Sequence, residues 1–319
     1  MKRWVSMALL LGTAACLTAC GEDKTAEKKD AYRQIGFRCM ETGDYEGAVE
    51  AFQNALDQSA GSIGEEEIDT CYYKAAALYD AGKPEEARQV YESLLAYDET
   101  NADAAYLLGN LYLVQGNGEQ AKQFYDQAAR YAGNNYELYV GIYNQVMGAG
   151  YPEEAEQYLR QALNNTGKTG YDYVQRGRIY LLLRDYDHAQ EQLDEASDKK
   201  HEDAPLYLAE LYEVKGETEK AQLLYQAYAE NHENNPEALN RLATMKLELN
   251  DYEGAVNYLK LILNADESLQ NDQELRRELI YAYEQLLDFS SAKTAMEEYI
   301  SKYPDDTAAA REYEFLQTR

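Results

Sequence analysis

The chain has 319 residues, with 58 acidic against 30 basic side chains and a formal charge of −28. So large an acidic excess disfavours nucleic acid or anionic lipid headgroups as binding surfaces. The three histidines have no helical metal spacing, and no phosphate-binding glycine loop or Gly-x-Ser-x-Gly elbow occurs, so no metal, cofactor or catalytic residue is expected.

Taken in chain order, residues 1–19 read as a signal peptide. Lys2 and Arg3 form a positive start, and Val5–Leu11 is largely apolar but too short to span a bilayer. The segment ends in Leu17-Thr18-Ala19-Cys20. This resembles the lipobox of bacterial lipoproteins, in which the cysteine becomes the acylated first residue of the mature protein. The alternative is an ordinary secretory signal with incidental cysteines, and Cys16 lacks the leading leucine. On the lipoprotein reading, residues 20–28 are the lipidated Cys20 and a charged, flexible tether. Its last eight residues span at most about 25–30 Å. The resemblance implies an extracytoplasmic protein anchored by lipid to a bacterial membrane. Removing Lys2 and Arg3 with the signal takes the charge from −28 to −30. Such a charge favours basic or neutral polar partner surfaces, unless it is only a solvated exterior.

The remainder, 29–319, is periodic. Ala102–Asn135 shows the unit: an apolar stripe of Ala105, Leu108, Gly109 and Tyr112, a break at Gly116-Asn117-Gly118, then a second stripe of Ala121, Phe124, Tyr125 and Ala128. Three- and four-residue spacing predicts two helices, with Gly116 suited to a left-handed cap. One such hairpin cannot bury its own stripe. The alanine of the second helix returns at Ala48, Ala87, Ala121, Ala155, Ala189, Ala221, Ala255 and Ala292, in steps of 39, 34, 34, 34, 32, 34 and 37 residues. Four places later stands a large apolar residue each time, and five places earlier a glycine or Asn250, except for Arg184 and Leu287. A fixed period of this size predicts a solenoid.

The 34-residue step, with Leu108, Gly109, Tyr112, Ala121, Tyr125 and Ala128, and with Tyr32, Ile35, Gly36, Ala48, Phe52 and Ala55, resembles tetratricopeptide repeats. The likeness runs from Lys29 to Asp306. It implies an all-α, right-handed α-solenoid of about eight helical hairpins, with 307–319 as a capping helix. Leucine-rich and ankyrin repeats do not fit, because their strand or turn consensus is missing. Some copies are worn: Lys74 and Arg176 take apolar places, Tyr143 and Ile280 take small ones, and Lys246 replaces an aromatic residue.

Asp57–Thr70 reads as a lengthened loop and Asp266–Asp272 as a smaller insertion, accounting for the steps of 39 and 37. Cys39 and Cys71 lie on first helices, either as a disulfide or as two small apolar thiols. Tyrosine is in excess, 31 against five phenylalanines, and most tyrosines occupy core places where the ring packs and the hydroxyl reaches the helix edge. His188, beside Asp185 and Asp187, reads as a cap or a solvated residue rather than as part of a site.

In tetratricopeptide repeats the first helices line a concave groove. Transferring that geometry directs Tyr72, Tyr79, Tyr106, Asn110, Asn144, Met147, Arg178, Glu210, Asn240 and Tyr281 toward it. Asparagine amides suit an extended peptide backbone, and tyrosines give contact area at low entropic cost. The alternative is an ordinary polar lining. As exposed polar residues, Asn110 and Asn144 should be replaceable by alanine within about 0.5 kcal/mol. The family's Lys–Asn–Arg carboxylate clamp is not reproduced. The expected function is a non-enzymatic scaffold holding a protein or peptide in its groove. The second expectation is a structural subunit of an envelope or secretion-related assembly.

Overall fold

The computed structural model describes residues 25–59, 63–232, 235–265 and 272–319. The signal segment and Cys20 lie outside these residues. Seventeen α-helices and no strand occur among the described residues. Two compact units divide at Asn165/Thr166.

Unit one holds α1 (residues 25–41), α2 (Tyr45–Asp57), α3 (Glu65–Asp80), α4 (Pro84–Tyr97), α5 (Ala102–Val114), α6 (Gly118–Tyr131), α7 (Tyr136–Gly148) and α8 (Pro152–Ala162). Unit two holds α9 (Gly170–Leu182), α10 (Tyr186–Asp198), α11 (Ala204–Val214), α12 (Thr218–Asn231), α13 (Pro236–Glu248), α14 (Tyr252–Ala265), α15 (Asp272–Gln285), α16 (Phe289–Lys302) and α17 (Thr307–Leu316). Odd and even helices pair as eight hairpins, four in each unit, and α17 follows the last.

The hairpins follow from the register. All eight alanines are at most 1% exposed, because each sits where the two helices of a hairpin cross. Opposite them the first helix must also be small. An added Cβ on Gly109 would stand 2.5 Å from the Tyr125 ring, and one on Gly36 would stand 2.5 Å from Phe52. The turn between paired helices needs one left-handed residue. Gly43, Gly82, Gly116, Gly150 and Gly216 supply it with φ of 74–89°, and Arg184, Asn250 and Leu287 adopt φ of 57–59° at the same place. The turn therefore persists where glycine is lacking, at a cost for L-residues.

The worn copies are accommodated locally. Lys74 donates to Gln53 Oε1 (2.6 Å). Arg176 is buried, with its Nε on Gln192 Oε1 and its Nη1 on the Gly167 carbonyl, both at 2.8 Å. Ile280, in a small-residue place, is buried in the cluster that holds the flexible Met296.

Two boundaries differ from the sequence reading. Residues 25–28, assigned to the tether, are the first turn of α1. Glu65–Thr70, assigned to the long loop, open α3, whose first turn carries Glu65, Glu66 and Glu67. Carboxylates at a helix N-terminus favour the dipole, so the acidic run is a start signal. Lys29 and Arg33 on α1 clasp this turn through Glu66, Glu67 and Asp69. Cys39 and Cys71 are free thiols. His188 lies on its cap residue, Nδ1 being 2.8 Å from Asp185 Oδ2.

Candidate functional site: the first-helix faces

In unit one, six of the expected residues lie on α3, α5 and α7. Tyr72 is half-buried and its hydroxyl donates to Asn101 Oδ1 (2.7 Å), the residue that caps α5. Burial pushes its pKa up to about 12. Tyr106 lies across α7, with its hydroxyl in the space an added Cβ on Gly141 would need. Asn110 does not present a free amide oxygen, because Oδ1 accepts from the Tyr125 hydroxyl at 2.8 Å. Tyr125 is 1% exposed, so Asn110 satisfies a core phenol. The premise that Asn110 is an exposed polar residue is corrected on that ground: it is half-buried and bonded to the core. Asn144 is exposed, Met147 is half-buried, and Tyr79 is 42% exposed.

In unit two, the remaining residues lie on α9, α11, α13 and α15. The Arg178 guanidinium stands 6.0 Å from the Tyr207 ring centre. Arg241 of α13 reaches Glu210 (3.4 Å) and Glu213 (3.9 Å) of α11. Glu213 Oε2 also accepts from the buried Tyr225 hydroxyl at 2.8 Å. Burial pushes the Glu210 pKa up, against the pull of Arg241. Asn240 is half-buried beside Arg241 in sequence, and Tyr281 is 47% exposed with its ring edge-on to Tyr252 at 6.0 Å.

Two groups of side chains therefore share these faces. Tyr72, Tyr106 and Asn110 hold the hairpins together. Tyr79 and Asn144 in unit one and Tyr281 in unit two remain open to solvent, and unit two also carries a charged row of Glu210, Glu213 and Arg241. Sequence reasoning missed Tyr207 and Arg241, although they stand 34 residues apart, one repeat, on consecutive first helices. The tyrosine excess is explained by partners that phenylalanine could not bond. Tyr228 donates to Asp203, which precedes α11, and Tyr299 to Asp306, the cap of α17, both at 2.7 Å. Tyr158 donates to Asp126 (2.9 Å).

Among the described residues, no group of histidine, cysteine and acidic side chains is placed to hold a metal ion. No described helix is long and apolar enough to cross a membrane.

No curated protein matches the sequence. Among solved structures, the chain is similar to the APC/C hetero-tetramer Cut9-Hcn1, with 14% identity, a TM-score of 0.49, and coverage of 88% of this chain and 54% of that one. It is similar to a tetratricopeptide repeat protein from Parabacteroides merdae, with 13% identity, a TM-score of 0.46, and coverage of 91% and 99%. It is also similar to Pseudomonas aeruginosa PilF, with 19% identity, a TM-score of 0.39, and coverage of 69% and 99%. The chain thus spans about half (54%) of the Cut9-Hcn1 chain it matches. Tetratricopeptide-repeat families match residues 78–146, 174–236, 236–269 and 278–306. These stretches fall in both units and together take in more than half of the chain, which belongs with the tetratricopeptide-repeat proteins.

Proposed function

We propose that this protein is a non-enzymatic scaffold that holds a protein or peptide on its first-helix faces, anchored outside the cytoplasm by lipid on Cys20. Tetratricopeptide repeats bind other proteins and peptides, and the four family models that match the chain are all of this kind. The observation that carries the reading is the exposure of Tyr79 and Tyr281, 42% and 47%, with Asn144 exposed as well. All three lie on first helices, α3, α7 and α15. Such groups, set on rigid hairpins, lose little conformational entropy on binding. Glu210 and Glu213 share Arg241 between two carboxylates, which suits a partner bringing a basic or neutral polar group.

The test of the face is alanine substitution of Tyr79, Asn144 and Tyr281 together. Partner capture should weaken while the helical circular dichroism stays unchanged. Equal capture by this variant and the wild type would refute the reading. The test of the anchor is Cys20→Ser, which should release the protein from membranes or block its maturation. A serine variant still held in the membrane by an acylated N-terminus would contradict it.

A further inference from the structure

Unit two carries a second feature, lined by residues other than the first-helix ones just described. A cavity of about 440 Å³ opens between α14, α15 and α16. That volume is in the range of small-ligand sites, roughly 300–1,000 Å³. Its chemistry is unusual for so acidic a chain. The polar groups lining it include Lys260, Arg276, Ser290 and Ser291, and its apolar wall includes Leu279 and Tyr283. Among the described residues, Glu298 is its one lining carboxylate.

The cations there are incompletely used. Lys260 is exposed and makes no ion pair among the described residues. Arg276 is held by the buried Asp272, whose oxygens accept from its Nε at 2.8 and 2.9 Å. The same carboxylate also binds Lys302 and the Tyr303 hydroxyl, so it does not neutralise Arg276 alone. Among the described residues, the guanidinium edge that remains meets Glu298, Nη1 lying 3.5 Å from a carboxylate that is 65% exposed. Asp272 therefore fixes Arg276 in place while leaving part of its donor capacity directed elsewhere. The Ser291 hydroxyl is engaged by Asp288, the cap of α16, which leaves the Ser290 hydroxyl. An ammonium, a guanidinium edge and that hydroxyl exceed what one loosely held carboxylate can accept. A tetrahedral dianion supplies the missing acceptors and charge, and Leu279 and Tyr283 favour an organic group attached to it.

We propose that this cavity binds a small organic phosphate, its oxyanion on Lys260, Arg276 and the Ser290 hydroxyl and its apolar part against Leu279 and Tyr283. The site goes beyond the first-helix scaffold reading and stands or falls separately from it. Phenyl phosphate is the probe, titrated against the full chain by calorimetry, with phenol and inorganic phosphate alongside. Saturable binding of phenyl phosphate, with neither comparator matching it, is expected. Lys260→Gln should weaken it about tenfold, as loss of one charge-assisted contact does. Ser290→Ala should weaken it less. Lys122→Gln, which removes a cation of unit one, should leave it unchanged. Because Lys260 is exposed, its replacement keeps the fold, which circular dichroism verifies. No saturable binding, or a loss with Lys122→Gln equal to that with Lys260→Gln, would overturn the site. Inorganic phosphate binding as tightly as the ester would overturn the organic assignment.

Discussion

Replacing Asn110 by alanine tests how the first-helix face is tied to the core. In the native hairpin the Tyr125 hydroxyl donates to Asn110 Oδ1 at 2.8 Å, and the tyrosine is 1% exposed. Burial also holds the phenol's pKa above its ordinary value, so the hydroxyl stays protonated and must donate. Asn110→Ala leaves that donor without an acceptor. An unsatisfied buried group costs about 1–3 kcal/mol, against roughly 1 kcal/mol for an ordinary hydrogen bond lost with both partners. Asn110→Ala should therefore destabilise unit one by about 1.5–2.5 kcal/mol. Tyr125→Phe should cost about 1 kcal/mol, because the half-buried amide can still meet water. When Tyr125→Phe is already in place, adding Asn110→Ala should cost no more than about 0.5 kcal/mol further. Urea unfolding followed by helical circular dichroism supplies the four stabilities of the cycle. Additive losses, or an Asn110→Ala variant as stable as the wild type, would refute the coupling.

Two other residues yield stability predictions. Leu287 holds φ of 59° at a turn where other repeats use glycine, and is 73% exposed. Leu287→Gly should stabilise the last hairpin by about 0.5–1 kcal/mol, read as a higher urea midpoint. Asp272 is 2% exposed. Its burial opposes ionisation, yet Lys302, Arg276 and Tyr303 outweigh that and hold its pKa below the ordinary value. A depressed pKa gives stability that is present above the unfolded value, near about 3.9, and lost as pH falls through the folded value. Asp272→Asn should thus cost about 2–4 kcal/mol at neutral pH. That difference from the wild type should shrink on acidification below about pH 4. A gap that is constant with pH would show that the charge is not what Asp272 contributes.

Much of the architecture was legible in the sequence because helix crossings demand small residues. Ala48 to Ala292 fix eight crossings by a requirement that nothing else in the chain mimics. The glycine signal was weaker. Arg184 and Leu287 break it, yet both backbones turn left-handed there, since packing of the flanking helices dictates the turn. The acidic run at Glu65–Glu67 reads as loop by composition alone, whereas its place is the first turn of α3, where carboxylates favour the helix dipole. The face residues were placed on the right helices by register, but register does not reveal hydrogen bonds. Nothing in the sequence couples Asn110 to a tyrosine fifteen residues later, and that bond takes its oxygen away from any ligand. Arg241 was passed over for its neighbour Asn240, although only the arginine reaches Glu210 and Glu213.

Site-specific photocrosslinking in the native cell tests the central claim most directly. A photoreactive residue at Asn144 or Tyr281 lies on a first-helix face, whereas one at Glu195 or Leu223, both exposed, lies on a second helix. A discrete crosslinked protein band from the first pair, absent from the second, is the predicted result. Crosslinks confined to Glu195 and Leu223, or spread equally over all four positions, would contradict it.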